Sequence, residues 1–240
     1  MGNVERARKF EFGRQLAKIG KPLDRGEWDM TPPTVNAYYN PPENNINFPA
    51  GILQPPFFDK NADDAVNFGG IGVVIGHELT HGFDDQGSKY AADGNLTNWW
   101  TDADKQEFEK RTTCVADEYS SFVAVDDLHL NGRLTLGENT ADNGGLHIAL
   151  MALRKEMAKD TKTAQAKDGF TVEQRFFLGF AQVWCQNSTP ESSRLLAKTD
   201  PHSPGQYRTN GTLQNSADFA KAFGCKAGQK MVSANACHVW

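Results

Sequence analysis

The 240-residue sequence predicts an α+β fold that is mainly helical. Three observations carry this. Helix-compatible stretches occupy residues 102–123, the run from about 136 to 159, and residues 171–187. A small and aliphatic, proline-free run at 67–84 suits one more, buried helix. β-prone residues gather in only two short runs, around 34–39 and 45–49, enough for a small sheet beside that helix.

In chain order, residues 1–33 read as a charged helix at 4–18 and a connector rich in Gly and Pro, separate from a main domain at 34–240. The two β-prone runs flank Pro41-Pro42 and read as a hairpin; Pro41 and Pro49 suit an edge position, where an extended peptide can add a strand. Residues 51–58, apolar but broken by Pro55-Pro56, read as a buried loop. Thr101 or Asp102 caps the helix at 102–123. Residues 161–169 form a basic loop, and the helix at 171–187 turns Phe176, Phe177, Phe180 and Trp184 mostly to one stripe. Residues 198–208 read as a loop, and a last helix covers 215–223.

The centre of the chain is H-E-L-T-H at residues 77–81. Histidines four apart share a helix face, so His77 and His81 can aim two imidazoles at one metal ion. Glu78 can then face a metal-bound water without binding the metal, which makes it a general base. Short motifs arise by chance, but this one sits in an apolar helix, where polar groups are costly unless paired or bound to a metal. Downstream, G-E-N-T-A-D-N-G-G places Glu138 and Asp142 four apart on the start of a helix. Two acids there favour the helix dipole and need do nothing more. With the histidines upstream, one supplies a third ligand and the other takes the N–H of a ligating imidazole.

A net charge of −5 without a long basic run makes nucleic acid an unsuitable partner. No apolar stretch reaches bilayer length and no signal-peptide core is present, so the expectation is a soluble chain whose export signal or anchor lies outside it. Cys114, Cys185, Cys225 and Cys237 contain no C-x-x-C pair; their spacing fits disulfides of an oxidising compartment as well as buried thiols. Asn95, Asn187 and Asn210 begin glycosylation sequons.

From residue 35 to 240 the sequence resembles the M13 zinc endopeptidases, the neprilysin and endothelin-converting-enzyme family with its PepO-type bacterial relatives. The shared blocks are V-N-A-Y-Y, F-P-A-G-I-L-Q-P-P-F-F, V-I-G-H-E-L-T-H-G-F-D-D, G-E-N-T-A-D-N-G-G, F-A-Q-V-W-C, H-S-P-G-Q-Y-R and the terminal C-H-V-W, in the family's order. The resemblance implies a thermolysin-like gluzincin catalytic domain with one Zn2+ held by His77, His81 and Glu138, with Glu78 as base and Asp142 fixing the tautomer of His77. It implies His202 as oxyanion donor, oriented by Asp200; Asn36 and Ala37 against the substrate backbone; and Arg208 on a primed-side carbonyl. Ile52, Phe57, Val73, Val183 and Trp184 match positions of an apolar S1′ pocket, which implies cleavage of peptides before large apolar residues. It also implies a Cys114–Cys237 disulfide, with Cys185 and Cys225 unpaired or bonded outside this chain, and an extracytoplasmic location. Family members are far longer, so the alternative is a zinc-binding but inactive fragment that needs the absent N-terminal segment. A zinc aminopeptidase is disfavoured because no G-x-M-E-N-like block occurs.

Overall fold

The computed structural model describes residues 1–159 and 165–240. These form two units, Met1–Thr31 and Pro32–Trp240. In the first, helix α1 (Gly2–Leu16) buries none of its residues. Charge pairs organise it: Arg14 bridges Glu11 and Glu27, and Lys18 reaches Glu27 at 2.7 Å. Exposed pairs of this kind contribute little each.

The second unit begins with a hairpin of β1 (Tyr38–Asn40) and β2 (Asn45–Asn47), with Tyr38 opposite Asn47 and Asn44 at φ 49° in the turn. The first strand was expected from residue 34. In this register Asn36 would face Pro49, which has no N–H to donate, so the ladder stops and Asn36 and Ala37 precede the strand. The loop at 51–58 also departs from expectation. A short 3-10 turn (Ala50–Ile52) buries Ile52, but Leu53, Gln54, Pro55, Pro56 and Phe58 are exposed and Phe57 is half-buried. Turns closed locally onto the carbonyls of Ile52 and Gln54 satisfy the backbone without burial, and they turn most side chains outward.

The motif lies in one continuous helical run rather than the regular helix expected at 67–84. Asp63 caps α2 (Asp64–Asn67), a π-helical turn follows at Phe68–Gly72, and α3 (Val73–His81) ends at Gly82. Helix α4 (Asp102–Ser120) is capped by the Thr101 hydroxyl and stops short of Val123, where a small hairpin of β3 (Val123–Val125) and β4 (Leu128–His129) begins. Then come α5 (Leu136–Met157) and α6 (Val172–Val183), the latter opened by a reciprocal Thr171–Gln174 capping box. The loop expected at 161–169 lies partly outside the described residues, at 161–164.

Two helices enter the segment 198–208, read as a loop, from either side, and residues 200–204 stay non-helical between them. They are α7 (Pro190–Thr199), which buries none of its residues, and α8 (Gly205–Gln214), which carries Arg208; α9 (Ala217–Phe223) completes the chain's elements. Helix α8 is rich in Gly, Thr and Asn and is held by its surroundings.

The main core gathers Leu146, Leu150 and Leu153 of α5, Phe176, Phe177 and Phe180 of α6, and Phe219 of α9 in one buried cluster. A second core gathers Phe108, Val115 and Tyr119 of α4 with Leu136 and Val239. The expected Cys114–Cys237 disulfide is present there, closing a 123-residue separation, while Cys185 is exposed and Cys225 half-buried without a bridge. Among the described residues no helix is long and apolar enough to cross a membrane.

What positions the centre is the crossing of α3 and α5. A Cβ on Gly76 would lie 2.7 Å from the Gly145 carbonyl oxygen, and one on Gly145 would lie 2.6 Å from the His77 nitrogen. Both obstacles are backbone, so only glycine allows this approach. The variant Gly145→Ala is therefore expected to destabilise the fold by about 1–3 kcal/mol or more, read as a fall of several degrees in Tm by calorimetry. An unchanged Tm would refute the close-crossing account.

Candidate metal centre

One turn apart on α3, His77 and His81 bring their Nε2 atoms to 2.9 Å. Their other ring nitrogens are committed: His77 Nδ1 meets Asp142 Oδ1 at 2.8 Å, and His81 Nδ1 meets Asp84 Oδ2 at 2.7 Å. A carboxylate only accepts, so each Nδ1 carries a proton, and a ring that gives up its second proton presents a lone pair at Nε2. Glu138, from the first turn of α5, adds Oε2 at 3.3 Å from His77 Nε2 and Oε1 at 3.7 Å from His81 Nε2. Its Oε2 is buried without a hydrogen-bond partner. Glu78 joins the same group: the ligating atoms of His77, Glu78 and His81 all lie within 4.8 Å of one another. Two facing lone pairs and an orphaned carboxylate oxygen are stable together around a cation, and an N, N, O donor set fits zinc.

The electrostatics agree. Burial opposes a charge on His77, yet the hydrogen bond to Asp142 and the nearby Glu138 carboxylate prevail and push it up to about 10. The surroundings therefore stabilise positive charge at this point. Burial would likewise raise Glu138, but the nearness of His77 and the positive charge of His77, His81 and Arg208 hold it well below the carboxylate range. Burial raises Glu78, against the opposing charges of His77 and His81. Asp142, 1% exposed, stays low despite burial because the Arg208 charge and the His77 hydrogen bond hold it there.

Arg208 grips Asp142 through two bonds of 2.7 Å, lies 3.9 Å over the Trp184 ring and comes within 3.6 Å of Glu138 Oε2. His202, on the loop before α8, sets Nδ1 at 2.8 Å from Asp200 Oδ1, which also accepts its backbone N–H, and sets Nε2 at 3.3 Å from Glu138 Oε2. The structure thus gathers His77, Glu78, His81, Glu138, Asp142, His202, Arg208 and Trp184. The remaining predicted residues are spread over other groups. Ala37, Ile52 and Phe57 share a small apolar cluster with Ile71, while Val73 belongs to the main core, against which Trp184 also packs. Val183 is half-buried at the end of α6, and Asn36 is exposed ahead of β1.

Sequence reasoning missed Asp84 as a histidine partner, since Asp84-Asp85-Gln86-Gly87 reads as turn chemistry at the end of the 67–84 run. The residue does both jobs: Oδ1 accepts the N–H groups of Gln86 and Gly87 while Oδ2 holds His81. The signal was its place three residues after the second histidine. Because such partners orient the ligand and raise its basicity, Asp84→Asn should weaken zinc binding about 10–100-fold in a chelator competition, as should Asp142→Asn. Wild-type affinity in either variant would show that the aspartate does not tune its histidine.

The sequence profile of Peptidase family M13 matches residues 36–239. Endothelin-converting enzyme 1 of Homo sapiens is 48% identical over 239 residues, covering 99% of this chain and 31% of that enzyme. Neprilysin-3 of Drosophila melanogaster is 46% identical over 233 residues, covering 96% and 30%. The crystal structure of Mycobacterium tuberculosis zinc metalloprotease Zmp1 with an inhibitor matches with a TM-score of 0.92 at 47% identity, covering 100% of this chain and 37% of that one. PepO from Lactobacillus rhamnosis matches at 0.79 and 36% identity, covering 90% and 32%. The chain spans about a third of the length of these relatives. With the profile running through the metal centre and both helices that build it, the chain belongs to peptidase family M13.

Proposed function

We propose that this chain is the catalytic part of a zinc-dependent endopeptidase, with residues 34–240 as the catalytic domain and 1–33 as a leading helix and connector. The observation that carries the reading is the convergence of His77 Nε2, His81 Nε2 and the unpartnered Glu138 Oε2, with Glu78 beside them. His77, His81 and Glu138 would hold one Zn2+. When bound, zinc supplies Lewis acidity, lowering the pKa of water towards about 7 and polarising a carbonyl.

The chain's own groups do the rest. Glu78, raised by burial, is suited to take a proton near neutral pH and return it to the leaving amine. With Nδ1–H on Asp200, the imidazolium form of His202 can donate from Nε2 to oxygen charge that develops during attack on the peptide carbonyl. Asp142 and Trp184 hold the Arg208 guanidinium in one orientation, ready for a primed-side carbonyl of the substrate. Asn36 and Ala37 would bind the substrate backbone beside the hairpin. Ile52, Phe57, Val73, Val183 and Trp184 would favour a large apolar residue after the cleaved bond. The partners are therefore peptides, and the Cys114–Cys237 disulfide suits an oxidising, extracytoplasmic setting.

The second reading is a zinc-binding but inactive piece, favoured by the chain's covering only about a third of its relatives. An assay with a fluorogenic peptide bearing Phe or Leu after the scissile bond separates the two. Glu78→Gln is expected to lower kcat about 10²–10⁴-fold while zinc stays stoichiometric by metal analysis, and chelation is expected to abolish turnover. Stoichiometric zinc with no turnover on any peptide would instead select the inactive piece.

A further inference from the structure

Directly after His202 comes Ser203, and directly after Glu138 comes Asn139. In both pairs the first side chain faces the metal centre and the second turns into the interior. Ser203 and Asn139 are 3% and 0% exposed, and the Ser203 hydroxyl donates to Asn139 Oδ1 at 2.8 Å. Asn139 Nδ2 then donates to Thr135 Oγ1 at 2.9 Å, and the Thr135 hydroxyl to the Asn131 carbonyl at 3.3 Å. Each buried donor thus finds an acceptor, as burial at this depth requires. The outcome is a polar relay running from the His202 loop into the turn that carries Glu138.

Asp200 orients the His202 ring, but Asp200 belongs to the same loop, so it leaves the loop's distance from Glu138 undetermined. We propose that Ser203 and Asn139 are positioning residues for catalysis: their buried hydrogen bond registers the His202 loop against α5 and so sets the His202 imidazole beside the metal-binding carboxylate. This rests on the reading of His202 as an oxyanion donor. That role is sensitive to placement, since displacement of about 1 Å can cost about 10²-fold in rate.

The test is a double-mutant cycle on the zinc-loaded chain, read by kcat and KM on a fluorogenic peptide and by the Kd of a tetrahedral phosphonate peptide. Ser203→Ala should lower kcat about 10–100-fold with KM within about twofold, weaken the phosphonate by a similar factor, and leave zinc stoichiometric. Ser203→Thr, which keeps the hydroxyl, should restore both. In a His202→Ala background, Ser203→Ala should change nothing further. Because Ser203→Ala alone strands a buried acceptor, the pair Ser203→Ala with Asn139→Leu removes both polar groups and should give the same loss in a stable protein.

A variant that lowers Tm but leaves kcat and phosphonate affinity unchanged would reduce the bond to a structural one and overturn the proposal. So would a Ser203 effect of equal size with and without His202. If His202→Ala itself altered neither kcat nor phosphonate affinity, the oxyanion role would be the part that failed. In a chain that binds zinc without turnover, the phosphonate Kd carries the whole cycle.

Discussion

The structure depends on the close crossing of α3 with α5. Helices normally stand off by the width of the side chains between them. Here Gly76 and Gly145 let backbone meet backbone, so one turn of α5 reaches His77 with Asp142 and Glu138 together. That approach turns two histidines on a helix into a site with a third donor and a fixed tautomer. The core supports it from behind, where Leu146, Leu150 and Leu153 of α5 share one buried apolar cluster with Phe176, Phe177 and Phe180 of α6. Burying each such aromatic side chain contributes about 1.5–3 kcal/mol.

Around the crossing, charge is arranged in layers. Asp142 sits between His77 and Arg208 and is satisfied by both, and the guanidinium is flattened against Trp184. Glu138 receives positive charge from three sides, from His77, His81 and Arg208. Buried ions of one sign alone would be prohibitively costly. Alternating them keeps Asp142 within hydrogen-bond reach of both His77 and Arg208, and leaves Glu138 Oε2 as the atom directed at the space shared by the two imidazoles.

Legibility in the sequence followed how local each signal was. The helices at 102–120 and 172–183 were readable because Thr101 and Thr171 cap them and because α6 carries its own apolar stripe. The histidine pair was readable because a four-residue spacing on a helix is itself a distance. Helices α7 and α8 were not, since one buries nothing and the other is built of residues with weak helix propensity. Asp84 was legible as a turn residue and illegible as a histidine partner, because its second role depends on where the turn folds back.

By itself, then, the sequence determined the elements that encode their own geometry: capped helices, a histidine pair on one helix face, and, through family blocks, the Cys114–Cys237 pairing. Tertiary structure decided the rest. It stopped the first hairpin where Pro49 would have had to donate, inserted a π turn ahead of α3, and exposed most of an apolar loop whose backbone closes on itself. It also brought Arg208 and Ser203, far along the chain, onto Asp142 and Asn139. Those contacts join residues more than 60 positions apart, and no periodicity or propensity reports the chain's path between them.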